Sequence, residues 1–144
     1  ILAEAALNGW IGNAEDYYNA GIEASFEAWG IGSEYDDYMT ETGVAYDATQ
    51  EQIINQKWIS SWAHATESWF DYRRTGFPDL QTGQWVKRQA IPVRFYFPLD
   101  EEFYNEANAK AAIANLETTV FNEADPQNSA WSKPWILQGT GMPW

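Results

Sequence analysis

Cysteine is absent from these 144 residues, and histidine occurs once, as His64. Without a thiol the chain forms no disulfide, no zinc–thiolate site and no cysteine nucleophile, although this does not choose a redox compartment. With one imidazole, neither a multi-histidine metal site nor a nucleophilic triad is expected, and His64 reads as a helix-end or core hydrogen-bonding group. Basic residues are scarce: 8 Lys and Arg stand against 21 Asp and Glu, a formal net charge of −13. So acidic a chain repels phosphate backbones, and no nucleic-acid partner is expected. Long apolar runs are missing too, since no stretch approaches the length of about eighteen residues that a spanning helix needs. Neither a G-x-x-x-x-G-K nor a G-x-G-x-x-G loop occurs, which leaves phosphate cradling without support. No cofactor or metal is expected.

Aromatic residues are plentiful instead, at 17% with nine Trp. Most are expected in a ring-rich helical core, and a few as flat platforms for sugar C–H faces. The charge is uneven. Residues 1–56 hold eleven Asp and Glu and no Lys or Arg, whereas residues 57–94 hold six basic side chains against three acidic. The central basic segment is expected to dock against the acidic first part, and exposed acidity suits neutral ligands. The length suits one compact piece, 1–144, with a sizeable core. The chain opens mid-pattern at Ile1-Leu2-Ala3-Glu4, which reads as the C-terminal part of a larger protein.

Periodicity predicts an all-α chain with little sheet. Ile1 to about Asn8 reads as the tail of a helix closed by Gly9. Tyr18, Ile22, Phe26 and Trp29 then form an amphipathic stripe, capped by Asn13 and stopped by Gly30. These two helices make a hairpin in which Gly21 would permit close approach. Ser33 to Thr42 predicts a short acidic helix. Thr49-Gln50-Glu51-Gln52 fits a capping box that opens a helix to about Ala63, with a break near His64-Ala65-Thr66 before Glu67 to Arg74. A polar loop over 76–90 holds Trp85. Val93, Phe95 and Phe97 alternate with Arg94 and Tyr96, a strand-like piece between two prolines. Asp100 is expected to cap a helix whose Phe103, Ala107, Ala111 and Ala114 share a face. After Val120 the chain reads as irregular through 125–129, Trp131, Trp135 and a Gly139–Gly141 turn. Asp36-Asp37 and Asp100-Glu101-Glu102 lack calcium-loop spacing and read as solvated helix starts.

Residues 56–76 are the densest in large rings and paired charges. Gln56-Lys57-Trp58-Ile59 is followed by Glu67-Ser68-Trp69-Phe70-Asp71-Tyr72-Arg73-Arg74-Thr75-Gly76. Three- and four-residue offsets share a helix face, so Glu67 and Asp71 are expected to tie down Arg73 and Arg74 as scaffold. Gly76-Phe77-Pro78 supplies the stop. This stretch resembles the Q-K-W-I…E-x-W-F-D-x-R-R-T-G segment of the SusD/RagB family of nutrient-binding outer-membrane lipoproteins. Upstream, Leu2 to Gly9 and Tyr17 to Ser25 resemble the last helical hairpin of the family's tetratricopeptide-like region. Downstream, Ile91 to Pro98 is similar to its I-P-x-R-F-x-x-P segment, and the Asn105 and Asn108 helix follows in order. The end at Trp135-Ile136-Leu137-Gln138 departs from the family's W-W-D-like ending.

The resemblance implies a SusD-like helical domain, with residues 1–30 as the last tetratricopeptide-like hairpin and 31–144 as C-terminal helices and loops. It implies non-catalytic capture of glycans at the outer cell surface. It further implies a lipid anchor outside this chain and a SusC-like TonB-dependent transporter as partner. In this reading Gln56, Lys57, Trp58, Glu67, Trp69, Asp71, Arg73, Arg74 and Gly76 are structural. The residues themselves nominate loop rings as glycan platforms, namely Trp85, Trp131, Trp135 and Trp10. Two alternatives stay open. Paired carboxylates beside aromatics also suit a fragment of a helical glycoside hydrolase, although arginines near Glu67 and Asp71 disfavour general-acid work. A tetratricopeptide-type peptide-binding module is the other.

Overall fold

The chain is helical in its computed structural model, which describes residues 1–86, 88–122 and 128–139. Among these residues there is no strand, only an isolated antiparallel bridge between Glu117 and Lys133. Lys87, residues 125–127 and Gly141 lie outside the described residues. The fold divides into two units, residues 1–72 and 73–144, with the division falling inside one helix.

In the first unit, α1 (Leu2–Leu7) packs on α2 (Ala14–Ala28), and both meet α4 (Gln50–Ser60). A 3-10 turn at Gly32–Glu34 leads into the short α3 (Tyr35–Met39), the acidic helix that the sequence predicts. The local signals for α2 hold: the Asn13 side chain accepts the Glu15 N–H at 2.9 Å, and Gly30 turns the chain with φ +72°. The core is Ala3, Tyr18, Ile22, Val44 and Ile53, with Phe26, Tyr35, Tyr38 and Tyr46 packed around it. Gly21 differs from expectation, because a Cβ there would meet nothing within 4 Å.

The capping box is half realised. Thr49 Oγ1 accepts the Gln52 N–H at 3.1 Å, but the Thr49 N–H goes to Asp47 Oδ1 at 2.9 Å. Asp47 thereby releases the Gln52 side chain to turn inward. There its amide donates to the Tyr18 hydroxyl at 2.9 Å and to the Val44 carbonyl at 3.1 Å. Tyr18 donates in turn to the Val44 carbonyl. A buried amide and phenol thus satisfy one another and a loop carbonyl, as buried polar groups must.

Burial pushes the Tyr18 pKa up to about 12, against the lowering effect of the Gln52 hydrogen bond. The folded protein therefore keeps a proton that the unfolded chain loses above about pH 10. The stabilisation is complete below that pH and is lost as pH rises towards 12. In urea titrations across this window we expect the unfolding midpoint to fall, and Tyr18→Phe to flatten the fall. An equal slope in the variant would refute the assignment to Tyr18.

The next helix, α5 (Ala65–Thr75), ends where expected, with Gly76 at φ +80°. α4, however, stops at Ser60, short of the expected Ala63, so Trp62 lies beyond the helix and not on its face.

The second unit is built around Val93, Ala109, Ala130 and Leu137, with Asn122, Ser129, Ser132 and Lys133 buried among its polar groups. The expected alternation over 93–97 is not found. Val93 and Arg94 are both buried while Phe95 and Tyr96 are both exposed. The reason is that one carbonyl, that of Ala130, receives the N–H of both Val93 (2.9 Å) and Arg94 (3.2 Å), so no ladder forms. The single helix expected from Asp100 is two. α6 (Leu99–Tyr104) is preceded by Pro98 at its N-cap, and α7 (Glu106–Ala114) follows a break at Asn105, where φ −128° and ψ 39° leave the helical region. The break rotates the helix, so Ala109 is buried in place of the expected face, and Phe103, Ala107, Ala111 and Ala114 are exposed.

Candidate functional site

The charged knot of residues 56–76 is anchored by lysine. Lys57 Nζ sits 2.6 Å from Asp71 Oδ2 and 3.8 Å from Glu67 Oε2, both carboxylates being presented one turn apart by α5. Asp71 is buried and Glu67 is largely exposed. Lys57 thus meets carboxylates of the central segment itself. Gln56 Oε1 accepts the Tyr38 hydroxyl at 2.8 Å. Arg73 is half-buried, and that burial lowers its guanidinium pKa; Arg74 is exposed, Trp69 half-buried and Trp58 exposed at the α4 end.

The four nominated indoles differ in what they offer. Trp85 is 91% exposed in a turn closed by the Val86 N–H on the Gly83 carbonyl. Trp135 is 84% exposed, at the start of a 3-10 turn (Trp135–Leu137) that the buried Leu137 holds down. Trp10, in the first unit, stands out from the turn after Gly9. Trp131 is different: its Nε1–H is donated to the Ala90 carbonyl at 2.9 Å, and the Arg88 guanidinium covers one face at 4.2 Å. Half of Trp131 is therefore tether, and of the nominated indoles in the second unit Trp85 and Trp135 are the open ones.

Periodicity alone did not reveal a cavity of about 830 Å³ in the first unit. Its wall is α2 with parts of α1 and α4, and its lip is an indole pair, Trp29 and Trp62, with ring centroids 5.1 Å apart and tilted by 35°. The α2 stripe ends in Trp29, which was the available signal. Its partner Trp62 was misplaced by the overlong α4. His64 is exposed, and among the described residues no cluster of three or more His, Asp or Glu could hold a metal ion. No described helix is long and apolar enough to cross a membrane.

Comparison with protein families matches residues 1–98 to the SusD-like family described as "Starch-binding associating with outer membrane". This chain belongs to the SusD-like family. The solved structures agree. A SusD-like protein from Bacteroidetes is 27% identical with a TM-score of 0.75, over 92% of this chain and 27% of that one. A chitin-binding protein is 30% identical with a TM-score of 0.72, over 93% and 30%. A chitin-binding SusD homologue from Flavobacterium johnsoniae is 27% identical with a TM-score of 0.67, over 92% and 33%. The SusD-like chain thus spans about a third or less of the structures it matches. Comparison with curated proteins found no match. The helical, strand-free architecture of the described residues is that of these SusD-like structures.

Proposed function

We propose that this chain is the C-terminal part of a non-catalytic glycan-binding protein at the outer cell surface. Membership, over residues 1–98, of a family described as starch-binding and associated with the outer membrane carries the proposal. Two matched structures are named for chitin binding, which supports an oligosaccharide ligand. Residues 1–30 serve as the last tetratricopeptide-like hairpin and 31–144 as the C-terminal helices and loops. A lipid anchor outside this chain holds the protein at the membrane, where it hands ligand to a SusC-like TonB-dependent transporter. The net charge of −13 favours neutral sugars over anionic ones.

Lys57 holds Glu67 and Asp71 as a structural group, which argues against their use as a hydrolytic acid pair. Trp85 and Trp135 are the sugar platforms we favour, with Trp10 and the half-covered Trp131 behind them. Titration calorimetry of the intact protein with chito- and malto-oligosaccharides tests the reading. Trp85→Ala and Trp135→Ala should each weaken binding by about two- to tenfold, the value of one aromatic contact. Melting curves should not move, because both rings are exposed. Release of reducing ends would point to a hydrolase instead, and undiminished affinity in both variants would move recognition off these rings.

A further inference from the structure

Asn8-Gly9 is the only Asn-Gly pair in the sequence, and both residues are exposed. An asparagine before glycine is prone to self-cyclisation, because no Cβ on the second residue hinders its backbone nitrogen from reaching the side-chain amide carbon of the first. Other asparagines are worse placed for this reaction. Asn19 and Asn108 precede alanines inside α2 and α7, and Asn128 precedes the fully buried Ser129.

The same pair closes α1. Gly9 takes φ +76°, its N–H donates to the Ala6 carbonyl at 2.9 Å, and the Trp10 N–H donates to the Ala5 carbonyl at 3.0 Å. These are the two bonds of a Schellman cap, which favours glycine at its left-handed position. The cap also holds both groups that would react. The Gly9 nitrogen, the nucleophile, has its hydrogen on Ala6, while Asn8 Nδ2, the leaving group, donates to the Glu4 carbonyl at 2.8 Å. Asn8 itself, at φ −78° and ψ 3°, aims the Gly9 N–H back into the helix.

We propose that Asn8 is a site of spontaneous deamidation whose rate is set by opening of this cap. Once the cap opens, the Gly9 nitrogen gives its proton to solvent base and attacks Asn8 Cγ. The new N–C bond closes a succinimide ring as the Cγ–Nδ2 bond breaks, and the amide nitrogen leaves as ammonia after taking a proton. Water then adds at either ring carbonyl and reopens the ring to aspartate or isoaspartate, with no oxidation or reduction. Isoaspartate inserts a methylene into the main chain, so the Gly9 and Trp10 N–H groups lose register with Ala6 and Ala5. Either product adds a negative charge at the C-terminal end of α1, whose last turn holds no basic residue to offset it. The isoaspartyl product therefore cannot rebuild the cap, and the turn that presents Trp10, 77% exposed, is reset. This chemistry is independent of glycan binding.

Peptide mapping by mass spectrometry of the intact protein, aged at mildly alkaline pH, tests the proposal. The amide-to-acid mass gain should appear at Asn8 before any other asparagine of residues 1–144. Conversion should run about tenfold or more slower than in urea-unfolded protein, because the cap must open first. Ala5→Gly loosens α1 without changing the pair, and should speed conversion of the folded protein about fivefold while leaving the rate in urea unchanged. Asn8→Gln should abolish it, since the longer side chain closes a less favourable ring. First conversion at another asparagine would overturn the choice of site. Equal rates for folded and unfolded protein, or an Ala5→Gly variant that ages like the parent, would overturn the control by the cap.

Discussion

Asp71→Ala should destabilise the protein by about 3 kcal/mol, at the low end for breaking a buried ion pair by removing one partner. Asp71 is buried, and the Lys57 side chain, whose ammonium lies 2.6 Å away, is three-quarters shielded from water. Removing the carboxylate leaves Glu67 as the nearer-surface substitute, at 3.8 Å and mostly solvated. The cost then comes less from lost attraction than from an ammonium left partly desolvated. Adding Lys57→Met should therefore recover the part of the loss that comes from the stranded ammonium, since an apolar replacement of an ion pair is often neutral. Differential scanning calorimetry of the single and double variants decides the point. A single variant that melts with the parent would show that the pair is not structural.

Arg94→Ala should be comparably damaging in the second unit, at about 3 kcal/mol from two charge-assisted hydrogen bonds and a desolvated acceptor. One guanidinium nitrogen of Arg94 donates to Asn128 Oδ1 at 3.0 Å and to the Ser129 carbonyl at 2.9 Å, while its plane lies over Phe97 at 4.8 Å. Ser129 is fully buried, so its carbonyl has no water to turn to. Asn128 loses one of its partners as well, and it holds the backbone of Phe97 on both sides. Arg94→Lys should recover only part, because an ammonium neither stacks flat on the ring nor keeps the planar donor geometry. Hydrogen exchange is the direct readout: the Val93 and Arg94 amides, both bound to the Ala130 carbonyl, should lose protection. Unchanged exchange at those amides would refute the role assigned to Arg94.

The sequence was most legible where structure is local. Asn13, Gly30, Thr49 and Gly76 each act through backbone groups within three residues of themselves, and each ends or opens a helix as its chemistry predicts. The all-α class followed from the same periodicity, and the family from motifs spread along most of the chain. Legibility failed where the partner is far away in sequence. Val93 and Arg94 share the Ala130 carbonyl across more than thirty-five residues, and no alternation rule anticipates one acceptor taking two donors. The expected helix after Asp100 broke at Asn105, whose side chain binds Glu101 Oε2 at 2.9 Å and accepts from Asn108. Asparagine is also a poor helix former, and the pattern of apolar residues alone does not record either effect.

What the sequence determined by itself is the helical class, the SusD-like family and the acidic field, because propensity, capping and net charge are properties of neighbours and of sums. Tertiary structure decided that Lys57 reaches Asp71, why Gln52 faces inward and where Trp29 finds Trp62. Each of those depends on distances between separate segments, and a buried amide or ammonium takes the partner that packing brings to it.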